Sequence, residues 1–362
     1  MQKNNSRTQI GSNIRINAHY YRRKRERRYN TGSPENIGYR RNMQDQAVFD
    51  SITETIKNLG LKIIGQERLI QRMVMALICG GHLIVEGAPG LAKTRAIKEL
   101  ADRIEGDFQR IQFTPDLLPS DITGSEIYRP EDGSFSFQQG PIFHNLILAD
   151  EINRAPAKVQ SALLEAMSEG QVSIGRETFD LPELFLVMAT QNPIEQEGTY
   201  TLPEAQLDRF LMHLLVDYPD SESELKILNL VRNERQAEHT DEPIKPLKNS
   251  LVSSARQSVL KLHMSETIEQ YIVELIAATR DTESDLKQWL DYGASPRGTI
   301  SLDICARALA WLDGRDYVAP EDIQNVAHDV LRHRLVLSFE AEAQNVTSDN
   351  LIDTLIEQVP VP

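Results

Sequence analysis

Nine consecutive residues restrict this chain more than any others: Glu86-Gly87-Ala88-Pro89-Gly90-Leu91-Ala92-Lys93-Thr94. The apolar run His82-Leu83-Ile84-Val85 precedes them, and Arg95 to Ile104, with Ala, Ile and Leu at helical spacing, follows. The order is therefore strand, loop, helix. In that setting glycines let the backbone curl until several amide N–H groups converge on one anion, and the helix adds its positive end. Lys93 then reaches the β- and γ-phosphates of a nucleotide, and the Thr94 hydroxyl ligates Mg2+. The expected phosphate-binding residues are Gly87, Ala88, Pro89, Gly90, Leu91, Ala92, Lys93 and Thr94. Ala92 stands where the pattern G-x-x-x-x-G-K-[ST] has its second glycine, and it is expected to hold the negative φ of a starting helix.

Leu146-Ile147-Leu148-Ala149 is an apolar run of buried-strand length that ends in Asp150-Glu151. Carboxylates at such a tip are costly unless a cation meets them. Mg2+ held through Asp150, with Glu151 polarising an attacking water, accounts for both. Leu184 to Thr190 is another continuous apolar strand, and it ends in Gln191-Asn192-Pro193. The Asn192 amide is placed to orient water against a γ-phosphate, although Asn-Pro is also an everyday turn. Glu204-Ala205-Gln206-Leu207-Asp208-Arg209-Phe210 leads into a final strand, Leu211 to Val216.

Three regions follow from the patterning. Residues 1–45 are polar, lack apolar periodicity and read as a disordered basic tail, with Arg22-Arg23-Lys24-Arg25-Glu26-Arg27-Arg28 flanked by tyrosines. Residues 46–219 carry the strands and the loop. Within them, glycines at 124, 133 and 140 mark a projecting hairpin over 120–143, and Gln171 to Thr178 forms a smaller one. Residues 220–362 are helical almost throughout, near 221–235, 253–280, 299–313 and 320–339. Arg297 stands out there because it falls at a helix N-terminus, where the dipole disfavours a cation unless an anion joins it.

Charge divides unevenly. The first 45 residues carry a net +8, so the chain's −14 leaves −22 on the other 317. A body that acidic repels nucleic acid over most of its surface, while the tail suits phosphate backbones or an anionic membrane surface. No apolar run reaches 18 residues and no signal-peptide pattern is present, so a cytoplasmic location without a transmembrane segment is expected. Cys79 and Cys305 read as buried thiols in a reducing compartment.

Together the motifs resemble AAA+ ATPases, and among them the MoxR family, over about residues 47–340. Gly87 to Thr94 resembles that family's phosphate loop, including the alanine before the lysine. Asp150-Glu151-Ile152-Asn153-Arg154-Ala155-Pro156 and the helix beyond it are similar to the second nucleotide motif. Ala189-Thr190-Gln191-Asn192-Pro193 resembles the first sensor, Leu202 to Phe210 the arginine-finger segment with Arg209, and Ser295-Pro296-Arg297 the second sensor. The resemblance implies an α/β fold: an AAA+ αβα parallel-sheet nucleotide domain followed by an all-α lid domain, with ATP and Mg2+ bound. It also implies a homo-oligomeric ring, usually a hexamer. Family members remodel or mature a protein client, sometimes inserting metal, often beside a von Willebrand A domain protein. The insertion at 120–143 resembles this branch's helix-two insert, a substrate-touching element. Two rivals stand beside this reading: a magnesium-chelatase-like motor subunit and a nucleic-acid-associated motor or regulator.

Overall fold

The computed structural model describes residues 43–131, 133–193, 198–236, 246–281, 283 and 285–362. The basic cluster at 22–28 and the reading of its surroundings as disordered lie outside them. The first helix begins at Met43, so residues 43–45, expected in the tail, belong to the folded body.

In chain order the strands are β1 (Leu83–Gly87), β2 (Phe108–Gln112), the hairpin β3 (Gly124–Arg129) and β4 (Ser134–Gln139), β5 (Leu146–Asp150), the hairpin β6 (Gln171–Ile174) and β7 (Glu177–Asp180), β8 (Leu186–Gln191) and β9 (Met212–Val216). Five of them form one sheet in the order β2-β5-β8-β1-β9, every pair parallel. The helices around it are α1 (Met43–Lys62), α2 (Glu67–Cys79), α3 (Lys93–Ala101), α4 (Pro119–Thr123), α5 (Ala157–Glu169) and α6 (Glu204–Leu207).

The unbroken apolar runs of β1, β5 and β8 have a direct cause: central parallel strands are covered on both faces. Their residues divide by alternation. Leu83, Val85, Leu146, Leu148, Leu186 and Met188 point into one apolar cluster with Met73 and Leu77 of α2 and Ile97 and Leu100 of α3. Ile84, Ile147, Ala149, Val187 and Ala189 point into the other, which Val159, Leu163 and Ala166 of α5 close. Each fully buried aliphatic side chain contributes about 1.5–3 kcal/mol, so one substitution of polar for apolar in this alternation is felt strongly.

The hairpin expected over 120–143 forms within those bounds, from Gly124 to Gln139 behind a short helix, and the one expected over Gln171 to Thr178 forms and runs on to Asp180. At the base of the first, a Cβ on Gly124 would lie 2.2 Å from the Gln138 carbonyl, and one on Gly140 2.3 Å from that of Ile122. Only glycine admits that approach. Phe137 stacks at 4.2 Å on Phe179 of β7, so the second hairpin braces the first, and Tyr128 and Phe135 pair across its exposed outer part at 5.2 Å.

The C-terminal helical region holds α7 (Ser221–Gln236), α8 (Asn249–Leu260), α9 (Glu266–Ala278), α10 (Pro296–Leu312), α11 (Pro320–Leu331), α12 (Phe339–Ala343) and α13 (Ser348–Gln358), with the short pair β10 (Leu290–Tyr292) and β11 (Val336–Leu337). The single helix expected over 253–280 is two, because His263 exchanges backbone hydrogen bonds with Asp316 and Val318 and the chain cannot stay helical there. The helix expected over 320–339 ends at Leu331. Its successors Arg332, His333 and Arg334 turn to bond the backbone of His213 and Phe210 at the start of β9.

A buried ion pair ties α11 to α2. Asp329 of α11 accepts from Arg72 of α2 at 2.8 Å and from Arg68 at 2.5 Å, and Asp329 and Arg72 are each about 1% exposed. Burial alone would raise the Asp329 carboxyl, but the two guanidinium groups overturn it and hold the group at about 2. Removing the acid leaves a buried guanidinium without its counter-charge, so Asp329→Ala is expected to cost about 3–5 kcal/mol of unfolding free energy in a denaturant titration. A carboxyl depressed below its unfolded value of about 3.9 adds stability that is present above about pH 4 and lost as the pH falls toward 2. The variant and parent stability curves are therefore expected to converge in that window.

Candidate active site

Parallel strands all deliver their following loops to one edge, and there the structure gathers Lys93, Thr94, Asp150, Glu151 and Asn192. Gly90 turns the loop at φ +85°, and Ala88 and Leu91 are buried beneath it. Ala92 corrects an expectation. It adopts the left-handed region, φ 58° and ψ 13°, instead of a helical φ, while its carbonyl already accepts the first helical bond from Ala96 at 2.8 Å. Left-handed backbone of this kind costs a residue with a Cβ and suits glycine, the residue of the general pattern at this position.

Lys93 opens α3, and its ammonium donates to the carbonyls of Gly87, ending β1, and of Gln191, ending β8 at 3.3 Å. Partial burial lowers its pKa from the usual lysine range, against the upward pull of Asp150, Glu86 and Glu151. A cation held between two strand tips by carbonyl oxygens is well placed to exchange them for phosphate oxygens. Thr94 is exposed in the first turn beside it.

The cation that meets Asp150 is Arg110 of β2, which donates twice to Oδ2, at 2.6 and 3.0 Å. Oδ1 accepts from the Thr190 hydroxyl at 2.6 Å, and the same hydroxyl accepts from the Glu151 N–H at 2.9 Å. Thr190 thus sets both carboxylates. Glu151 itself is left-handed, φ 56° and ψ 50°, a costly state for a residue with a Cβ. Its Oε2 accepts from Gln112 and from Arg154, each at 2.9 Å. Asn192 follows β8 and is 7% exposed. The hydroxyl of Thr94 and the carboxylate of Asp150 are hard oxygen donors that fit Mg2+, a cation that takes its remaining ligands from phosphate and water.

The other two residues, Arg209 and Arg297, lie elsewhere. Leu83 of β1 stands beside Met212 of β9, so residues 208–210 sit beyond the N-terminal edge of the sheet, and five residues of strand separate them from the loop by about 16 Å. The Arg209 guanidinium donates to the Leu164 carbonyl at 2.7 Å and to Ser168 at 3.0 Å, toward the far end of α5, rather than to Asp208 or Glu204. Arg297 is in the first turn of α10, and the anion brought to that helix N-terminus is Asp208, 3.7 Å away.

Residues 82–212 match the family model "ATPase family associated with various cellular activities (AAA)", and residues 283–355 match "AAA lid domain". The Chaperone MoxR1 of Mycobacterium tuberculosis is 45% identical over 83% of this chain and 79% of its own length, and the uncharacterized protein YeaC of Bacillus subtilis 42% over 85% and 94%. The chain belongs to the MoxR family. A crystal structure of a proposed ATPase from Cytophaga hutchinsonii superposes with a TM-score of 0.81 at 44% identity, over 88% of this chain and 97% of that one. The magnesium-chelatase subunit ChlI of Nicotiana tabacum is more distant, 30% identical over 52% of this chain and 42% of its own.

This MoxR-family chain is an ATPase with an AAA nucleotide domain and an AAA lid. Four residues at its two edges carried no role in the sequence reading: Arg110, Thr190, Asp208 and Arg334. The outward register of Arg110 in an alternating strand was the one local signal among them. The left-handed Ala92 yields a direct test. Ala92→Gly relieves about 1–2 kcal/mol of backbone strain and gives back about 0.4–1 kcal/mol through the freer unfolded chain. A net stabilisation of about 0.5–1 kcal/mol is expected in chemical denaturation; a loss would show that the alanine methyl is needed by its neighbours.

Proposed function

We propose that this ATPase hydrolyses ATP at a site shared between two subunits of a homo-oligomeric ring, a hexamer as is usual in the family, and uses the cycle for chaperone-like remodelling, maturation or metal insertion of protein complexes. The observation that carries the reading is the separation of the two edges. Lys93, Thr94, Asp150, Glu151 and Asn192 follow strands on one, whereas Arg209 precedes β9 about 16 Å away along the strand on the other, and Arg297 lies near Asp208, the neighbour of Arg209. Two arginines so placed serve catalysis only by reaching the nucleotide of the next copy.

Each residue has a role that follows from its place. Lys93 leaves the Gly87 and Gln191 carbonyls for the β- and γ-phosphate oxygens. Thr94 and Asp150 would hold Mg2+, which would supply neutralising charge to the phosphates. Glu151 takes the proton of the attacking water once Gln112 and Arg154 release Oε2, and Asn192 orients that water. Arg209 and Arg297 meet charge that develops on the phosphoryl group of the neighbouring subunit's nucleotide.

The exposed pair Tyr128 and Phe135 on the first hairpin is the surface offered to the protein client, and the chaperone name of a relative at 45% identity supports that use. A von Willebrand A domain protein is the expected partner, and the cytoplasm the expected compartment. Among the described residues no helix is long and apolar enough to cross a membrane.

Two experiments check this. Lys93→Ala is expected to abolish nucleotide binding, while Glu151→Gln keeps binding and loses turnover, because the lysine charges the ground-state site and the acid acts on the water only during chemistry; wild-type turnover in Glu151→Gln removes it from the mechanism. Arg209→Ala and Lys93→Ala are each expected to be inactive alone and to regain part of the ATPase when mixed, since some interfaces then pair an intact loop with an intact arginine. Absence of recovery despite demonstrated subunit exchange would contradict action between subunits.

A further inference from the structure

Asp208 adjoins Arg209 in the chain, and among the described residues its carboxylate meets side chains of the helical region beyond. Oδ1 accepts from Arg334 Nε at 2.9 Å, and Oδ2 accepts from Ser295 Oγ at 2.8 Å, with Arg297 Nη1 3.7 Å from the same oxygen. Arg334 is buried and also donates to the carbonyls of Asp208, Phe210, Leu211 and Val330 and to Ser301. Lid attachment at this corner therefore has ample donors without Ser295.

The Ser295 bond does something narrower. Ser295 is the N-cap of α10: its hydroxyl donates to Asp208 while accepting from the Arg297 N–H at 3.1 Å. One hydrogen-bonded line thus runs from the Asp208 carboxylate through the cap to the backbone of Arg297. It fixes where α10 starts and in which direction the half-exposed Arg297 side chain leaves it. On the other side of Asp208, the adjoining Arg209 is set by α5, and the backbone between them is held by bonds from Asp208 to Glu204, Arg209 to Gln206 and Leu211 to His82.

We propose that Asp208 is a positioning residue for ATP hydrolysis in the adjacent subunit: through Ser295 and Arg334 it sets Arg297 in register with Arg209, so that lid and nucleotide domain present both arginines together. The inference rests on the shared-site reading above. A misplacement of about 1 Å costs about 10²-fold in a positioned reaction, so the test reads turnover and binding separately.

In Asp208→Asn, which keeps the shape and removes the charge, affinity for a fluorescent ATP analogue is expected to stay within about twofold while kcat falls by about 10²-fold. Mixing it with Lys93→Ala is expected to restore activity, because Asp208→Asn supplies an intact phosphate loop and Lys93→Ala an intact arginine corner. Mixing it with Arg209→Ala is not, because both are defective on the same edge. Ser295→Ala keeps the Asp208–Arg334 latch and is expected to lower kcat in the same direction, which preserves the test if Asp208→Asn does not fold. Unchanged kcat in Asp208→Asn, or in a stable Ser295→Ala, overturns the proposal, as does loss of ATP affinity in proportion to kcat. Recovery of the Arg209→Ala and Lys93→Ala pair without recovery of the Asp208→Asn and Lys93→Ala pair overturns the positioning role alone. Failure of both pairs overturns the shared site and this inference with it.

Discussion

Because all five strands of the sheet run the same way, everything that follows a strand emerges on one edge and everything that precedes one gathers on the other. That polarity, and the double-sided burial that parallel strands demand, sets the rest of the molecule. The ends of β1, β5 and β8 bring a lysine, two carboxylates and an amide to one place without any of them being close in the chain. The start of β9 brings Asp208 and Arg209 to the opposite edge, where the lid grips the backbone of Phe210 and Leu211. On the proposed reading the chemistry is thereby divided between two faces of one subunit.

Strain and charge are stored on the nucleotide edge. Ala92 and Glu151 both occupy left-handed backbone that a Cβ disfavours, one before Lys93 and the other after Asp150. The Thr190 hydroxyl holds the second of these by accepting from its N–H while donating to Asp150. Arg110 supplies positive charge to Asp150 from an edge strand, where side chains that would be buried in a central strand reach solvent. On the lid side the same economy applies: a helix N-terminus that disfavours Arg297 is made tolerable by the Asp208 carboxylate.

What could be seen in the sequence was what is local in it. The strand-loop-helix around Lys93, the apolar runs ending in Asp150-Glu151 and Gln191-Asn192, and both hairpins depend on residues within a few positions of one another, and periodicity and glycine placement announce them. The sign of φ at Ala92 was not visible, because residue type permits both conformations and the loop's exit decides. Contacts between distant segments were equally silent. Asp208 meets Arg334 across 126 positions and Thr190 meets Asp150 across 40. Helix ends in the C-terminal region are set in the same way: the break at His263 answers to Asp316 and Val318, and the Arg332 to Arg334 turn to the start of β9, not to their own neighbours.

If the two edges of different subunits build one site, turnover must follow assembly. Specific ATPase activity measured across a dilution series, with the oligomer distribution read by mass photometry on the same samples, tests this most directly. Turnover per subunit is expected to rise with the assembled fraction and to fall by about 10³-fold or more in the monomer, the scale on which a missing arginine acts. Monomers that hydrolyse ATP at the rate of the assembled protein would contradict it.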